Sequence, residues 1–122
     1  MKTKIPKIIH QLWVGDKPIP EQIKGFTDKM PEINQGYECK LWGNEVFDRY
    51  KDDPYLTNYL KEPDLYRWAF ICDRIRCLLL KDIGGIYVDA DALPIQSFDL
   101  IMNQLSENIT FFTGLKPTQQ NN

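Results

Sequence analysis

The segment DIGGIYVDADALP, residues 82–94, is the part of the sequence that decides the fold. It begins at the polar end of a helix pattern, passes through two glycines that stop the helix, and continues as a short apolar strand. Asp89 and Asp91 follow one residue apart at the end of that strand. Because side chains on a strand alternate between its two faces, we expect both carboxylates to project to the same side and to lie close together.

Two neighbouring carboxylates are costly unless a cation lies between them. Carboxylate oxygens suit Mg²⁺ or Mn²⁺, and magnesium usually takes one or two protein carboxylates and completes its shell with water and substrate phosphates. Asp89 and Asp91 therefore favour a site for a divalent cation and a diphosphate. The alternative is a turn after a strand, where aspartate is common because its side chain bonds to the backbone. The Asp-x-Asp spacing alone does not decide between the two.

The composition is that of an ordinary globular domain. With 122 residues, 43% of them hydrophobic, the chain can build one modest core. A net charge of -2 argues against a nucleic-acid surface, which needs clustered positive charge.

No stretch approaches the roughly 20 apolar residues of a transmembrane helix, and the first residues lack a signal-peptide cleavage site. We therefore expect a cytoplasmic protein, whose odd number of cysteines favours reduced thiols.

Strand and helix patterns alternate along the chain. Residues 5–14 (IPKIIHQLWV) predict a central strand buried on both faces of a parallel sheet. Residues 20–30 predict a helix that Pro31 ends, and residues 37–42 predict a second strand. Further helices are predicted over 44–50, 53–60, 63–82 and 98–105, and a last strand over 109–113. The pattern indicates an α/β fold with a largely parallel sheet, in which ligands bind beyond the carboxyl ends of the strands.

The long helix predicted over 63–82 has two distinct faces. Its apolar face, which should pack on the sheet, consists of Trp68, Ile71, Cys72, Ile75, Leu78 and Leu79. Asp73 and Arg76 fall on another stripe, three residues apart, and by themselves they read as a solvated ion pair worth a few tenths of a kcal/mol.

Three motifs together resemble a known family. They are IPKIIHQLWVG at residues 5–15, Ala-x-x-x-Asp-x-x-Arg at 69–76, and Gly-Gly-x-Tyr-x-Asp-x-Asp at 84–91. In this order they resemble glycosyltransferases of the GT-A fold, above all family 32, which includes mannosyltransferases and bacterial capsule or lipopolysaccharide enzymes. A more distant similarity is to the large clostridial glucosylating toxins.

The resemblance implies a Rossmann-like GT-A sheet that binds a nucleotide sugar, with flanking helices, over residues 1–114. The sheet would be truncated after the Asp-x-Asp strand. Residues 115–122 are expected to form a disordered tail, because the last of them are polar. A sheet cut short leaves an unpaired edge, which favours a homo-oligomer.

The resemblance also implies roles for residues around the nucleotide. Trp13 would stack on the base, and the backbone of Val14 and Gly15 would approach it closely. Tyr87 would lie near the diphosphate and ribose. His10 belongs to the same first-strand motif, but we interpret it as structural, because a lone histidine inside an apolar strand is more often a hydrogen-bonded core residue.

The remaining implied roles concern the sugar and the metal. Asp73 and Arg76 would hydrogen-bond to the hydroxyls of the donor sugar and neighbouring oxygens. Asp89 would contact the ribose or the sugar and reach the ion largely through water, whereas Asp91 would bind Mn²⁺ or Mg²⁺ directly. These four residues form the catalytic set, in which the aspartates act as a scaffold and not as attacking groups.

The resulting hypothesis is a metal-dependent enzyme that transfers sugar from a nucleoside-diphosphate sugar to a glycan or other hydroxyl acceptor, with retention of configuration implied by the resemblance. One alternative is a non-catalytic module that binds a nucleotide sugar, since a fold does not guarantee turnover. The other is a phosphatase of the haloacid dehalogenase type, in which Asp89 would be the nucleophile. Those enzymes usually carry threonine or valine where this chain has Leu93.

Overall fold

A central parallel strand organises the structure, a computed structural model that describes residues 4–62 and 66–114. Within these residues, β1 (Ile8–Leu12) lies between β2 (Glu38–Trp42) and β3 (Ile86–Tyr87), and both neighbours pair with it in parallel. The helices are α1 (Glu21–Ile33), α2 (Val46–Arg49), α3 (Pro54–Lys61), α4 (Arg67–Asp82) and α5 (Asp99–Met102). The structure confirms the α/β class, the parallel sheet and the central position of β1.

The sheet separates two apolar clusters, and β1 contributes to both. Ile9 packs on the side of α1 and α5, in a cluster whose other buried members are Ile5, Met30, Tyr37, Ile86 and Met102. Leu12 packs on the side of α3 and α4, in a cluster whose other buried members are Val46, Leu56, Ile71, Ile75 and Leu79. Because Ile9 and Leu12 are an odd number of positions apart, they point to opposite faces. The expected burial of β1 on both faces is therefore confirmed.

Helix α1 continues past the proline that was expected to end it. Pro31 lies inside the helix, which runs on to Ile33. Proline removes one backbone hydrogen bond but does not prevent a last turn that is held from elsewhere. Buried Asn34 holds it, because its backbone N–H and its Nδ2 both donate to the carbonyl oxygen of Met30 at 3.0 Å, while its Oδ1 accepts from the Phe98 N–H at 2.8 Å.

Helix α4 forms the other layer and ends where the glycines predicted. Its face toward the sheet buries Ile71, Ile75 and Leu79 completely, as expected, although Leu78 is only half-buried and lies outside the cluster. Gly84, at φ 80°, donates its N–H to the Leu79 carbonyl, which is the left-handed ending that glycine accepts best. The predicted start at residues 63–65 lies outside the described residues.

Two strand predictions near the carboxyl terminus were wrong in extent or in kind. β3 covers only Ile86–Tyr87 and does not reach the aspartates. Residues 109–113 form no strand, although Phe112 packs against the cluster on the α1 side. Their aromatic content therefore reflects partial burial of the Phe112 ring and not pairing in the sheet. The expected tail over 115–122 lies outside the described residues.

Among the described residues, no helix is both long enough and apolar enough to cross a membrane.

His10, on β1, is a fully buried side chain whose two ring nitrogens both have partners. Its Nε2 donates to the Gly84 carbonyl at 2.7 Å, and its Nδ1 accepts from the Trp42 indole N–H at 3.1 Å. The ring thus joins β1 to β2 and to the loop that precedes β3. Only the neutral imidazole can make both bonds, because a protonated Nδ1 would face the indole N–H donor to donor. His10 is a structural residue, as the sequence suggested.

The neutral state of His10 makes the stability of the fold sensitive to acid. Burial lowers the pKa of His10 below its ordinary value of 6.5, and the nearby charges of Lys40 and Arg49 act in the same direction. The unfolded chain therefore binds the proton more readily than the folded chain, so the stabilisation is complete above about pH 6.5 and is lost as the pH falls through the folded pKa. We expect the free energy of unfolding, measured in urea, to decrease as the pH is lowered from about 7.5 to about 5.

The control is His10→Gln, which removes the only histidine in the chain. We expect a smaller change in unfolding free energy over the same pH interval in this variant. An equal change in the wild type and the variant would show that other groups cause it.

Candidate functional site

The candidate site lies beyond the carboxyl ends of β1 and β3, which are neighbours because the strands are parallel and Ile9 pairs with Ile86. Trp13 follows β1 directly, and Asp89 lies two residues after β3. The amino-terminal end of α4 reaches the same edge, since the Trp68 ring lies 3.7 Å from the position that a Cβ on Gly15 would occupy. Three separate stretches of sequence therefore meet at the edge where α/β sheets bind ligands.

Asp89 and Asp91 lie in a turn and not on a strand. The turn is closed by the Ala92 N–H, which donates to the Asp89 carbonyl at 3.1 Å, and the Gln11 side-chain amide donates to the same carbonyl at 3.4 Å. The last hydrogen bond between β3 and β1 is the one that the Val88 N–H donates to the His10 carbonyl at 2.9 Å, so the strand ends before Asp89. The expectation that strand alternation aligns the two carboxylates is therefore wrong.

The side chains of Asp89 and Asp91 are exposed, and neither carboxylate forms a hydrogen bond or ion pair with any residue in the described ranges. A turn-forming aspartate usually bonds to nearby backbone N–H groups. Their carboxylates do not fill that structural role here, so both are free to bind a ligand.

These two aspartates fit a cation that is shared with a ligand. Within residues 4–62 and 66–114, no group of three or more His, Cys, Asp or Glu side chains converges as a metal site. A magnesium ion often takes just one or two protein carboxylates and fills its remaining positions with water and phosphate oxygens. The donor set formed by Asp89 and Asp91 therefore suits an ion held between protein and diphosphate.

Asp73, Arg76 and Tyr87 form a connected group beside the turn. The Arg76 guanidinium lies 3.2 Å from the Asp73 carboxylate and 5.7 Å from the centre of the Tyr87 ring. Burial raises the pKa of the Tyr87 phenol, and the negative charge of Asp89 raises it further. The phenol is therefore neutral at physiological pH and can donate a hydrogen bond.

Cys72 lies next to this group on α4. Burial raises the pKa of its thiol, with additional contributions from the carboxylates of Asp73 and Asp89. It is a protonated, partly buried free thiol.

Trp13 is partly exposed and belongs to neither apolar cluster. Its indole N–H donates to the Lys17 carbonyl at 3.0 Å, and its backbone N–H donates to the Trp42 carbonyl at 2.9 Å. The residue is therefore anchored at its polar atoms without being a core aromatic. Val14 instead packs against the cluster on the α4 side, which leaves its backbone as the part that can approach a ligand.

Two residues at this edge were missed by the reasoning from sequence. Asn44 exchanges two hydrogen bonds with Gly15, accepting from its N–H at 2.9 Å and donating to its carbonyl at 3.1 Å. The sequence places Asn44 only at the start of the helix predicted over 44–50. Gln11 binds the carbonyl of Asp89, and the available signal was an amide inside an apolar strand, which needs a partner when it is buried.

The comparisons with known proteins agree with this arrangement. Residues 6–108 match the family described as glycosyltransferase sugar-binding region containing DXD motif. An uncharacterised glycosyltransferase of Acanthamoeba polyphaga mimivirus is 34% identical over 89 residues, which cover 71% of this chain and 36% of that protein. Inositol phosphoceramide mannosyltransferase 3 of Schizosaccharomyces pombe is 37% identical over 90 residues, which cover 71% of this chain and 24% of that protein.

The chain therefore spans roughly a quarter to a third of the length of these curated relatives. Among solved structures, the PaToxG glycosyltransferase matches with a TM-score of 0.60 and 22% sequence identity, over 80% of this chain and 46% of that one. At this identity the match shows the fold, which is the GT-A glycosyltransferase fold that the motifs implied.

The family match leaves the phosphatase alternative without support, since it covers the sheet and the turn together. Asp89-Ala90-Asp91 is the one Asp-x-Asp sequence in the chain, and it lies inside the matched region. With residues 6–108 of 122 matched, this chain belongs to the family of glycosyltransferase sugar-binding regions that contain the DXD motif.

Proposed function

We propose that this chain forms the donor-binding part of a metal-dependent glycosyltransferase, which transfers a sugar from a nucleoside-diphosphate sugar to a hydroxyl acceptor with retention of configuration. The observation that carries the proposal is a pair of exposed aspartates, Asp89 and Asp91, in a turn at the carboxyl edge of the sheet, whose carboxylates have no partner among the residues that the structure describes. Both aspartates keep their carboxylates free for a ligand at the place where this fold class binds one.

The nucleotide end of the donor would lie against the loop after β1. Trp13 offers a partly exposed aromatic face on which a base can stack. Asn44 fixes the backbone of Gly15 from the neighbouring β2 side. A base held between this loop and the first turn of α4 places the diphosphate toward the Asp89–Ala92 turn.

The diphosphate and the sugar would lie between this turn and α4. Tyr87 donates a hydrogen bond from its neutral phenol, and Arg76 presents a planar fork of donors to paired oxygens. Asp73 orients Arg76 through their 3.2 Å contact and can accept a hydrogen bond from a sugar hydroxyl. Arg76 thereby places positive charge near the departing phosphate oxygens, where charge develops in the transition state.

We propose that Asp91 binds Mn²⁺ or Mg²⁺ directly and that Asp89 reaches the ion through water. The chemistry that such an ion supplies when bound is neutralisation of the charge on the leaving nucleoside diphosphate. The protein's contribution is to hold two carboxylates in a turn that the Ala92 N–H and the Gln11 amide brace at the Asp89 carbonyl.

The experiment that tests the proposal is a thermal-shift series with UDP-sugars and GDP-sugars, each with and without Mn²⁺. A ligand at a hundredfold excess over its Kd adds about 2.7 kcal/mol to the stability of the folded state. For a domain of this size we expect the melting temperature to rise by roughly 10 °C, in the presence of Mn²⁺ only. A set of nucleotide sugars that leaves the melting temperature unchanged in both conditions would contradict the proposal.

Turnover separates the enzyme from the non-catalytic module. We expect slow release of free sugar from the stabilising nucleotide sugar in the presence of Mn²⁺, measured by chromatography of the nucleoside diphosphate. Metal-dependent binding with neither hydrolysis nor transfer would support a binding module and would contradict catalysis by this chain.

A further inference from the structure

We infer that the chain binds the hydrocarbon part of an amphiphilic acceptor in an apolar pocket that adjoins the Asp-x-Asp turn. The inference rests on the proposed function and names the acceptor class for that site. The pocket has a volume of about 240 Å³ and lies between the segment 92–98, helix α5 and Met30 of α1. None of the residues proposed to bind the donor or the metal lines it.

The lining of the pocket favours hydrocarbon over sugar or phosphate. None of the residues that line it has a charged side chain, in a chain where 26% of residues are charged. Gln96 and Ser97 are its polar members, and the Ser97 hydroxyl oxygen already accepts the Asp99 N–H at 3.1 Å. A site for a glycan or a phosphate would need several convergent polar groups. An apolar cavity of about 150 Å³ holds a benzene molecule, so this pocket has room for an alkyl chain of several carbons.

The rim of the pocket exposes large apolar side chains to water. Leu93 is 50% exposed, Ile95 79%, Leu100 57% and Ile101 42%. A contiguous group of such residues marks a binding surface more often than an ordinary surface. Covering them with a hydrocarbon chain removes apolar area from water, which supplies binding free energy in proportion to that area.

The position of the pocket identifies its occupant as an acceptor. Ala92 closes the Asp89–Ala92 turn through its N–H and also lines the pocket. A molecule with its alkyl chain in the pocket therefore carries its polar head at the turn, where the donor sugar is proposed to lie. A hydroxyl on that head group is then next to the sugar that it would accept. A concave pocket that opens beside the reacting groups suits an amphiphile better than it suits a second copy of the chain.

The test uses methyl, hexyl and octyl β-D-glucopyranosides below their micellar concentrations as probes. Binding is followed by methyl NMR of the full chain, because leucine and isoleucine methyl groups line the pocket. We expect each added methylene to tighten binding by roughly two- to fourfold, up to the limit set by complete burial. The shifts should be confined to the pocket's leucine and isoleucine methyl groups. Affinity that is independent of chain length would overturn the inference.

Variants at the rim provide the second measurement. Leu93→Ser and Ile101→Ser replace exposed side chains, so the fold is retained, and each should weaken octyl glucoside binding by roughly fivefold or more. The matched control is Leu60→Ser on α3, at a side chain that is 38% exposed and lies outside the pocket. If Leu93→Ser and Ile101→Ser bind octyl glucoside as tightly as Leu60→Ser does, the inference is overturned.

The two proposals fail in distinguishable ways. The Mn²⁺-dependent thermal shift by the nucleotide sugar should be unchanged in Leu93→Ser and Ile101→Ser, because neither residue belongs to the donor site. If the donor binds and the alkyl chain has no effect, the acceptor inference fails and the proposed function stands. If no donor binds, both fail. A wild-type dimer in sedimentation that Ile101→Ser dissociates would show that this surface is an interface between copies, and would overturn the inference.

Discussion

Asp91→Asn is expected to abolish the Mn²⁺-dependent part of nucleotide-sugar binding while leaving the fold intact. The substitution keeps the shape of the side chain and removes the charge of the residue that we propose as the direct metal ligand. Losing a residue that only orients a metal ligand typically costs 10- to 100-fold in affinity, so we expect a loss of at least roughly 100-fold here. In the thermal-shift assay the metal-dependent rise in melting temperature should disappear.

Stability without ligand should change by less than about 0.5 kcal/mol, because the Asp91 side chain is exposed and has no partner among the described residues. This separates a binding defect from unfolding. Asp89→Asn should show a smaller loss of binding, since its link to the ion is proposed to run through water. Asp52→Asn is the matched control, as Asp52 is another exposed aspartate in a loop, before α3, without a side-chain partner in the described ranges.

The ordering of these three variants tests the assignment of roles. Unchanged donor affinity in Asp91→Asn would refute the role of Asp91 as a metal ligand. A larger loss in Asp89→Asn than in Asp91→Asn would exchange the two roles. A loss in Asp52→Asn would indicate that overall charge, and not a defined site, controls binding.

Local patterns in the sequence were enough for the features that depend on local chemistry. The β-branched run of residues 5–14 predicted a strand buried on both faces, because only a central strand needs apolar side chains on each side. Gly84 predicted the end of α4, because few other residues accept its conformation. The edge of the sheet that carries the candidate site could likewise be predicted, since the direction of parallel strands places Trp13 and Asp91 at the same end of the sheet.

The features that the sequence did not reveal depend on contacts between distant residues. The last turn of α1 survives Pro31 because Asn34 is bound by the Phe98 N–H, 64 positions away. Residues 109–113 have strand-like composition, but composition does not tell whether a partner strand is available. The link between Asn44 and Gly15 spans 29 positions and involves a residue type that is equally common in turns. Pairings of this kind need the folded arrangement before they can be recognised.

Gly85→Ala is expected to destabilise the protein more than the same substitution at any other glycine of the chain. Gly85 has a φ of 102°, in the region that L-residues rarely adopt, and a Cβ there would collide with the backbone carbonyl oxygen of Ile8. The conformation alone costs an alanine about 1–2 kcal/mol. The collision adds to this, because a backbone atom in the central strand cannot move aside without disturbing the pairing of Ile9 with Ile86.

We therefore expect Gly85→Ala to lower the free energy of unfolding by at least about 3 kcal/mol, measured by urea denaturation, out of a total that is typically 5–15 kcal/mol. Gly25→Ala is the matched control, since no atom lies within 4 Å of the position that a Cβ would occupy there and the residue is exposed within α1. Alanine is the better helix former at this position and should stabilise the chain by roughly 0.5–1 kcal/mol. If the free energy of unfolding falls in Gly85→Ala and rises in Gly25→Ala, the loss comes from the close contact between the Gly85 backbone and β1. That contact sets the position of β3 and of the Asp-x-Asp turn after it. A midpoint for Gly85→Ala equal to that of the wild type would show that the two backbones are not in contact.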